Sequence, residues 1–280
     1  MAYYQLFTAD CPPSPMPPRR LALITGASSG IGAAFAEVFA SRGFDLIVTA
    51  RREDRLRALA TSLEERCGAR VHVMPADLAD RGAPEALCRE IAHRGLIVDA
   101  LVNNAGFGVP GTYGQTTWER QADLLQVMVV AVAELTHRLL PGMIERRYGR
   151  IVNVASLAGL VSAPAGHTMY PASKAFVIRF SQALSEEVGR HGVHVTAVCP
   201  GFTLSEFHDV TDTRHLVRRL PRFMWMDAAT VAEKGFNAVM QGRAVYVTGR
   251  VNRSIAVVAR HAPRLFEAFQ RRFSWAYRKT

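Results

Sequence analysis

The chain has 280 residues, 49% hydrophobic and 21% charged, a balance that suits one well-buried globular domain and argues against two small ones or a disordered chain. The formal charge of +10 gathers at the C-terminal end, where nine Arg or Lys stand against the single Glu267 from Arg243 onward. That excess reads either as a surface for nucleic acid or an anionic membrane, or as solvated faces under an arginine-rich coding bias; only three lysines occur in the chain, which favours the bias and argues against a nucleic-acid partner.

Residues 1–19 carry Pro12, Pro13, Pro15, Pro17 and Pro18 without the apolar stretch of a secretion signal, and are expected to form a loose extension, with Met16 as an alternative start. From there, β-branched runs at 21–25, 46–49, 71–74, 100–103, 151–154, 193–198 and 244–247 alternate with helical patterns. Near-continuous apolar strands separated by crossover-length helices predict a doubly wound parallel α/β sheet, of the Rossmann type, over residues 20–249. The strongest apolar run, 127–133, is short of the roughly 18 residues that span a bilayer and suits a buried helix segment. Cys11, Cys67, Cys88 and Cys199 lie far apart without metal-ligand or disulfide spacing, so thiols in a reducing, cytoplasmic compartment and no metal are expected.

The first strand runs into Thr25-Gly26-Ala27-Ser28-Ser29-Gly30-Ile31-Gly32 and then an apolar-periodic helix. Gly26 permits a tight turn, Gly30 lets backbone approach a pyrophosphate and Gly32 allows close helix packing, while the helix N-terminus supplies donors to the phosphates. An ordinary turn is the bland alternative; placement on the first β-α unit favours dinucleotide binding. At the end of the second strand, where an NAD-preferring fold offers an acid to the ribose, stands Arg51, followed by Arg52. A guanidinium there pairs with a 2′-phosphate, so NADP(H) is preferred over NAD(H); a solvent-facing arginine pair is the other reading. Asp77, with Leu78 beside it, follows the third strand and is a candidate for the adenine end, or a simple turn residue.

Tyr170-Pro171-Ala172-Ser173-Lys174 heads a predicted helix, and the four-residue separation puts phenol and ammonium on one face. A general acid or base near neutral pH needs the phenol lowered by about 3 units, and the ammonium, helped by a positively charged nicotinamide in the oxidation direction, is the expected source of that shift. Ser156, at the end of the fifth strand, offers a hydroxyl to a substrate oxygen; a strand-end turn serine is its bland reading.

At these residues the sequence resembles the short-chain dehydrogenase/reductase family, over nearly everything from Leu21 to Thr248. The resemblance includes Asn103-Asn104-Ala105-Gly106, which in that family ends the fourth strand and borders the cofactor. It also includes Pro200-Gly201, which family members place beside the nicotinamide, with Thr203 or Ser205 near the carboxamide or phosphates. It implies an NADP(H)-dependent oxidoreductase in which Ser156, Tyr170 and Lys174 are catalytic, and Lys174 also holds the nicotinamide ribose. One position departs: Met128 stands where many members carry a catalytic asparagine that supports a water relay to the lysine. Met cannot replace those hydrogen bonds, and Gln126, the nearest amide, lies two residues away on a helix, off that face. A cofactor-binding sensor or scaffold with impaired turnover is therefore the rival reading.

Leu157, Leu160, Val161 and Met169, with Phe202, Phe207, Phe223, Met224, Trp225 and Met226 of a segment at 201–227 that is either an apolar lid or a structural loop packing its aromatics, suggest a lipophilic carbonyl or alcohol: a fatty aldehyde, 3-oxoacyl group, steroid or retinoid-like molecule. His167 is the main polar exception. The apolar segment 127–135 and the helix after Tyr170 are expected to supply either core or a homo-oligomer contact, in a dimer or tetramer. The tail, 250–280, mixes apolar residues with arginines and is divided by Pro263 into two amphipathic helices, placed against a membrane surface, a partner subunit or the crevice.

Overall fold

In the strand β1 (Arg20–Thr25), Ala22 and Ile24 face one way while Leu21 and Leu23 face the other, and all four are buried. Each face therefore needs its own cover, and helices supply it on both sides. The computed structural model describes residues 19–162, 166, 168–204, 224–264 and 266–267. After β1 come α1 (Gly30–Ser41), β2 (Phe44–Thr49), α2 (Glu53–Cys67), β3 (Val71–Val73), α3 (Ala83–His93) and β4 (Val98–Asn103). The second half holds α4 (Trp118–Leu125), α5 (Ala131–Glu145), β5 (Gly149–Val154), α6 (Met169–Val188) and β6 (Val193–Cys199). It closes with β7 (Phe202–Leu204), β8 (Trp225–Asp227), α7 (Ala228–Met240), β9 (Val245–Val247) and α8 (Arg250–His261).

The main sheet has the order β3-β2-β1-β4-β5-β6-β9, with every neighbouring pair parallel. This is the doubly wound α/β architecture expected from the alternating pattern. The order reverses between β1 and β4, so the strand ends there open a crevice. On one face Phe39 meets Phe44 and Phe236 edge-on, with centroids 5.0 and 4.9 Å apart. A Cβ on Gly235 would lie 2.7 Å from the Phe35 ring, so its absence lets α7 approach α1. The other face is filled by Leu101, Leu124, Leu135, Ile151 and Leu184.

Several sequence expectations change in detail. The seven predicted strands all belong to this sheet, and a second, two-stranded parallel sheet, β7 with β8, joins the two ends of the predicted lid. Residues 205–223, including Ser205, Phe207 and Phe223, lie outside the described residues, as do Cys11, His167 and 268–280. Helices α4 and α5 are continuous through a π-helical turn, Gln126–Val130, and the combined 28-residue helix Trp118–Glu145 is long and apolar enough to cross a membrane by length and composition. Val127, Met128, Ala131, Val132 and Leu135 nevertheless pack into the protein, so these side chains belong to the core. Exposed apolar groups nearby are Val130 and Phe176.

Candidate active site

The C-terminal ends of β1, β4, β5 and β6 bring four loops to one edge of the sheet. In the first, Gly26 and Gly30 have φ of +66° and +58°, which side-chain-bearing residues adopt at a cost. Gly32 has no room for a side chain, since a Cβ would fall 2.2 Å from the Gly26 carbonyl oxygen. Thr25 is buried; its Oγ1 accepts from the backbone N–H groups of Asn104 and Ala105, at 2.9 and 3.0 Å, and donates to the Val102 carbonyl. Asn104 Nδ2 in turn donates to the carbonyls of Thr25 and Gly26 at 3.0 and 3.2 Å. The glycine turn is thus held open by the end of β4, with the N-terminus of α1 behind it, a cradle whose missing Cβ atoms fit a dinucleotide pyrophosphate. Ile31 packs on the core beneath.

The structure distinguishes the two arginines. Arg51 is exposed, whereas Arg52 reaches back to the glycine turn, where Nη2 donates to Ser28 Oγ at 3.0 Å and Ser29 Oγ at 2.9 Å. Sequence reasoning centred on Arg51 and gave Arg52 no role of its own; the adjacent pair was the only signal for it. Asp77 is exposed and its Oδ1 accepts from the Ala79 N–H at 3.0 Å, the turn role offered as the alternative, while Leu78 is buried in the core. Thr203 is buried in β7 and its hydroxyl donates to the Gly201 carbonyl at 3.2 Å.

Ser156, Tyr170 and Lys174 do come together. Ser156 opens a short 3-10 turn, Leu157–Gly159, with its Oγ accepting from the Ala158 N–H at 3.1 Å, and it is hydrogen-bonded to the Tyr170 phenol. Gly159 has no space for a Cβ, which would lie 2.6 Å from the Lys174 carbonyl carbon, so this turn presses directly on α6. Lys174, at 6% exposure, donates from Nζ to the Val154 carbonyl at 2.7 Å and stands 5.7 Å from the centre of the Tyr170 ring. Leu157 N–H donates to the Pro200 carbonyl at 2.8 Å, which joins the serine turn to the turn after β6.

The lowering of Tyr170 expected from the ammonium and a bound nicotinamide is not produced by the protein alone. Burial pushes the phenol above its ordinary value, and the Ser156 hydrogen bond pulls the other way without reversing it. Burial also lowers Lys174 from 10.5 to about 8, with the nearby Cys199 opposing the shift, while burial raises Cys199 to about 12. Low dielectric disfavours every charge here, and the protein alone keeps the phenol protonated.

Met128, 1% exposed, lies in the π-helical turn with its side chain against Gly106, where a Cβ would meet Met128 Cγ at 3.4 Å and Sδ at 3.5 Å. The same turn carries Gln126, whose buried Nε2 has no hydrogen-bond partner among the described residues.

A phosphate-sized cradle at the reversal of a parallel sheet, facing a serine, a tyrosine and a lysine on adjoining strand ends, defines an oxidoreductase that uses a dinucleotide. The family model for short chain dehydrogenase matches residues 20–215. Nodulation protein G of Rhizobium meliloti is 35% identical over 245 residues, covering 85% of this chain and 98% of that protein. The 3-oxoacyl-[acyl-carrier-protein] reductase of Haemophilus influenzae is 32% identical, covering 82% of this chain and 94% of its own length. A short-chain dehydrogenase from Sphingobium yanoikuyae, solved in complex with NADPH, is 33% identical with a TM-score of 0.77, covering 91% of this chain and 95% of that one. The chain belongs to the short-chain dehydrogenase family, whose members are NAD(P)-dependent oxidoreductases.

With only three lysines in the chain, lysine-labelled protein gives a readable NMR titration. One resonance is expected to titrate at pH about 8 and to vanish in Lys174→Met. A Lys174 signal that stays charged to pH about 10, the ordinary lysine range, would contradict the described burial.

Proposed function

We propose that the protein is an NADP(H)-dependent reductase of lipophilic carbonyl compounds, with Tyr170 as proton donor. The observation that carries this reading is the convergence of Ser156 and Tyr170 within hydrogen-bonding distance, with the Lys174 ammonium alongside. NADPH, when bound, supplies the hydride equivalent to the carbonyl carbon. Ser156 donates a hydrogen bond to the carbonyl oxygen, and that bond strengthens as the oxygen gains negative charge. Tyr170 delivers its proton to the same oxygen, giving the alcohol. Burial favours the protonated phenol, the form from which proton donation to a carbonyl oxygen begins. Lys174 would hold the nicotinamide ribose and bring a positive charge beside the phenol.

At the other end, Gly26, Ser28, Ser29, Gly30, Gly32, Asn104, Ala105 and Gly106 would line the pyrophosphate and adjoining ribose. Arg52, with Arg51 beside it, would meet the 2′-phosphate. The half-buried Leu157, Leu160, Val161 and Met169, and the Phe202–Trp225 ring pair at 5.7 Å, support an apolar substrate. The similarity to a 3-oxoacyl reductase agrees with that substrate class. Family members in general act on small substrates and are oligomeric.

Turnover of NADPH with a panel of fatty aldehydes and 3-oxoacyl thioesters is expected, falling at least about 100-fold in Tyr170→Phe with NADPH affinity retained. Tight NADPH binding without turnover in the parent would instead identify the sensor or scaffold that Met128 suggests. Fluorescence titration is expected to show NADPH binding more tightly than NADH, with the preference reduced about tenfold or more in Arg52→Ala; equal affinities in the parent would refute the NADP(H) assignment.

The amphipathic helix α8 exposes Val251, Val257 and Val258 among Arg250, Arg253 and Arg260, an arrangement that supports peripheral contact with an anionic bilayer. The full chain is expected to float with phosphatidylserine vesicles and to lose that behaviour in a Val257→Asp, Val258→Asp variant. A parent protein that stays in the aqueous fraction would dispose of the membrane contact.

A further inference from the structure

Among the side chains of α8 only Asn252 is buried, at 6% exposure, a polar group in the position where an amphipathic helix ordinarily places an apolar one. Its carboxamide lies against Gly201: a Cβ built there would fall 2.5 Å from Asn252 Nδ2 and 2.6 Å from Oδ1. The amide is braced in turn, since Nδ2 donates to the Thr248 carbonyl at 2.8 Å and Thr248 N–H donates to the Cys199 carbonyl at 3.2 Å. Gly249, with φ of +86°, turns the chain from β9 into α8, and Met226 of β8 reaches to 3.0 Å of where its Cβ would be.

In the sheet, β6 lies between β5 and β9. The Pro200–Gly201 turn that follows β6 is consequently held from two directions. On the β5 side the residue after Ser156 bonds the Pro200 carbonyl; on the β9 side Asn252 closes against Gly201. We infer that Asn252 is a positioning residue, whose carboxamide keeps the Pro200–Gly201 turn in register with the Ser156 turn and so sets the nicotinamide half of the site relative to Tyr170. This rests on the dinucleotide reading above. Asn252 touches no reacting atom; it acts through the backbone of Gly201. A buried amide with a fixed hydrogen bond is stiffer than water or a mobile side chain, and displacements of about 1 Å are enough to lower rates by about 100-fold.

The test separates the two halves of the cofactor. In Asn252→Ala the Kd for NADPH is expected to rise about tenfold, while the Kd for adenosine 2′,5′-bisphosphate, which lacks the nicotinamide, stays within about twofold. Asn252→Asp keeps the shape, loses the donor toward Thr248 and is expected to show the same split; it decides the matter if the alanine variant fails to fold. Gly201→Ala adds a methyl that collides with Asn252, so it should weaken NADPH binding in the parent and have a much smaller further effect in Asn252→Ala. Parallel weakening of both ligands, losses that simply multiply in the double variant, or parental NADPH binding in both Asn252 variants would each overturn the inference while leaving the dinucleotide reading intact. A parent that binds neither ligand would overturn both.

Discussion

One side-chain amide, that of Asn104, sets the geometry of the cofactor end. By donating to the carbonyls of both Thr25 and Gly26 it fastens the end of β4 to the turn leaving β1, across the place where the sheet changes direction. Thr25 returns the tie through its hydroxyl, which accepts from two consecutive backbone N–H groups. Polar groups in a buried strand end are costly unless paired, and here each pairing also dictates a position. Gly32 shows how little slack remains, because an added methyl would meet both the Gly26 carbonyl and this amide. The open turn is a product of packing as much as of its own glycines.

A second polar chain crosses the sheet interior and registers the reacting end. Asn103 Nδ2 donates to Asn153 Oδ1 at 2.9 Å and to Thr136 Oγ1 at 3.2 Å, and Asn153 Nδ2 donates to Ser181 Oγ at 2.9 Å. These bonds run from β4 through β5 to α5 and α6. Each contributes only about 1 kcal/mol, yet leaving a partner unpaired costs about 1–3 kcal/mol, so alternative registers are disfavoured. Ser156 follows β5, and Tyr170 and Lys174 lie on α6. The rail therefore ties together the elements on which they meet.

What could be read from the residues was what is local. The glycine turn, the Asn-Asn-Ala-Gly strand end and the Tyr–Lys spacing each occupy a few consecutive residues, and strand alternation located the sheet. Features that depend on the fold were less legible. Arg51 and Arg52 differ by one residue and by which of them reaches the turn after β1, which follows from where β2 ends and α2 begins. The sign of the Tyr170 shift in the protein alone follows from how completely the site is desolvated, which no local motif shows. Asn252 belongs to no motif; its significance lies in a contact with Gly201, a distant residue in sequence. The π-helical turn at Gln126–Val130 was invisible to a 3.6-residue period, which nonetheless identified the segment as apolar helix.

The buried ammonium of Lys174 also bears on how durable the protein is. Lowering a lysine from 10.5 to about 8 means that the folded state holds the charged form less well than an unfolded chain does, by about 3 kcal/mol. Below pH about 8 that whole deficit is present; between about 8 and 10.5 the unfolded chain binds the extra proton, so the contribution of this group to native stability improves as the medium becomes more alkaline. An apolar substitute would remove this charge penalty but would leave the Val154 carbonyl without the hydrogen bond that Nζ gives it.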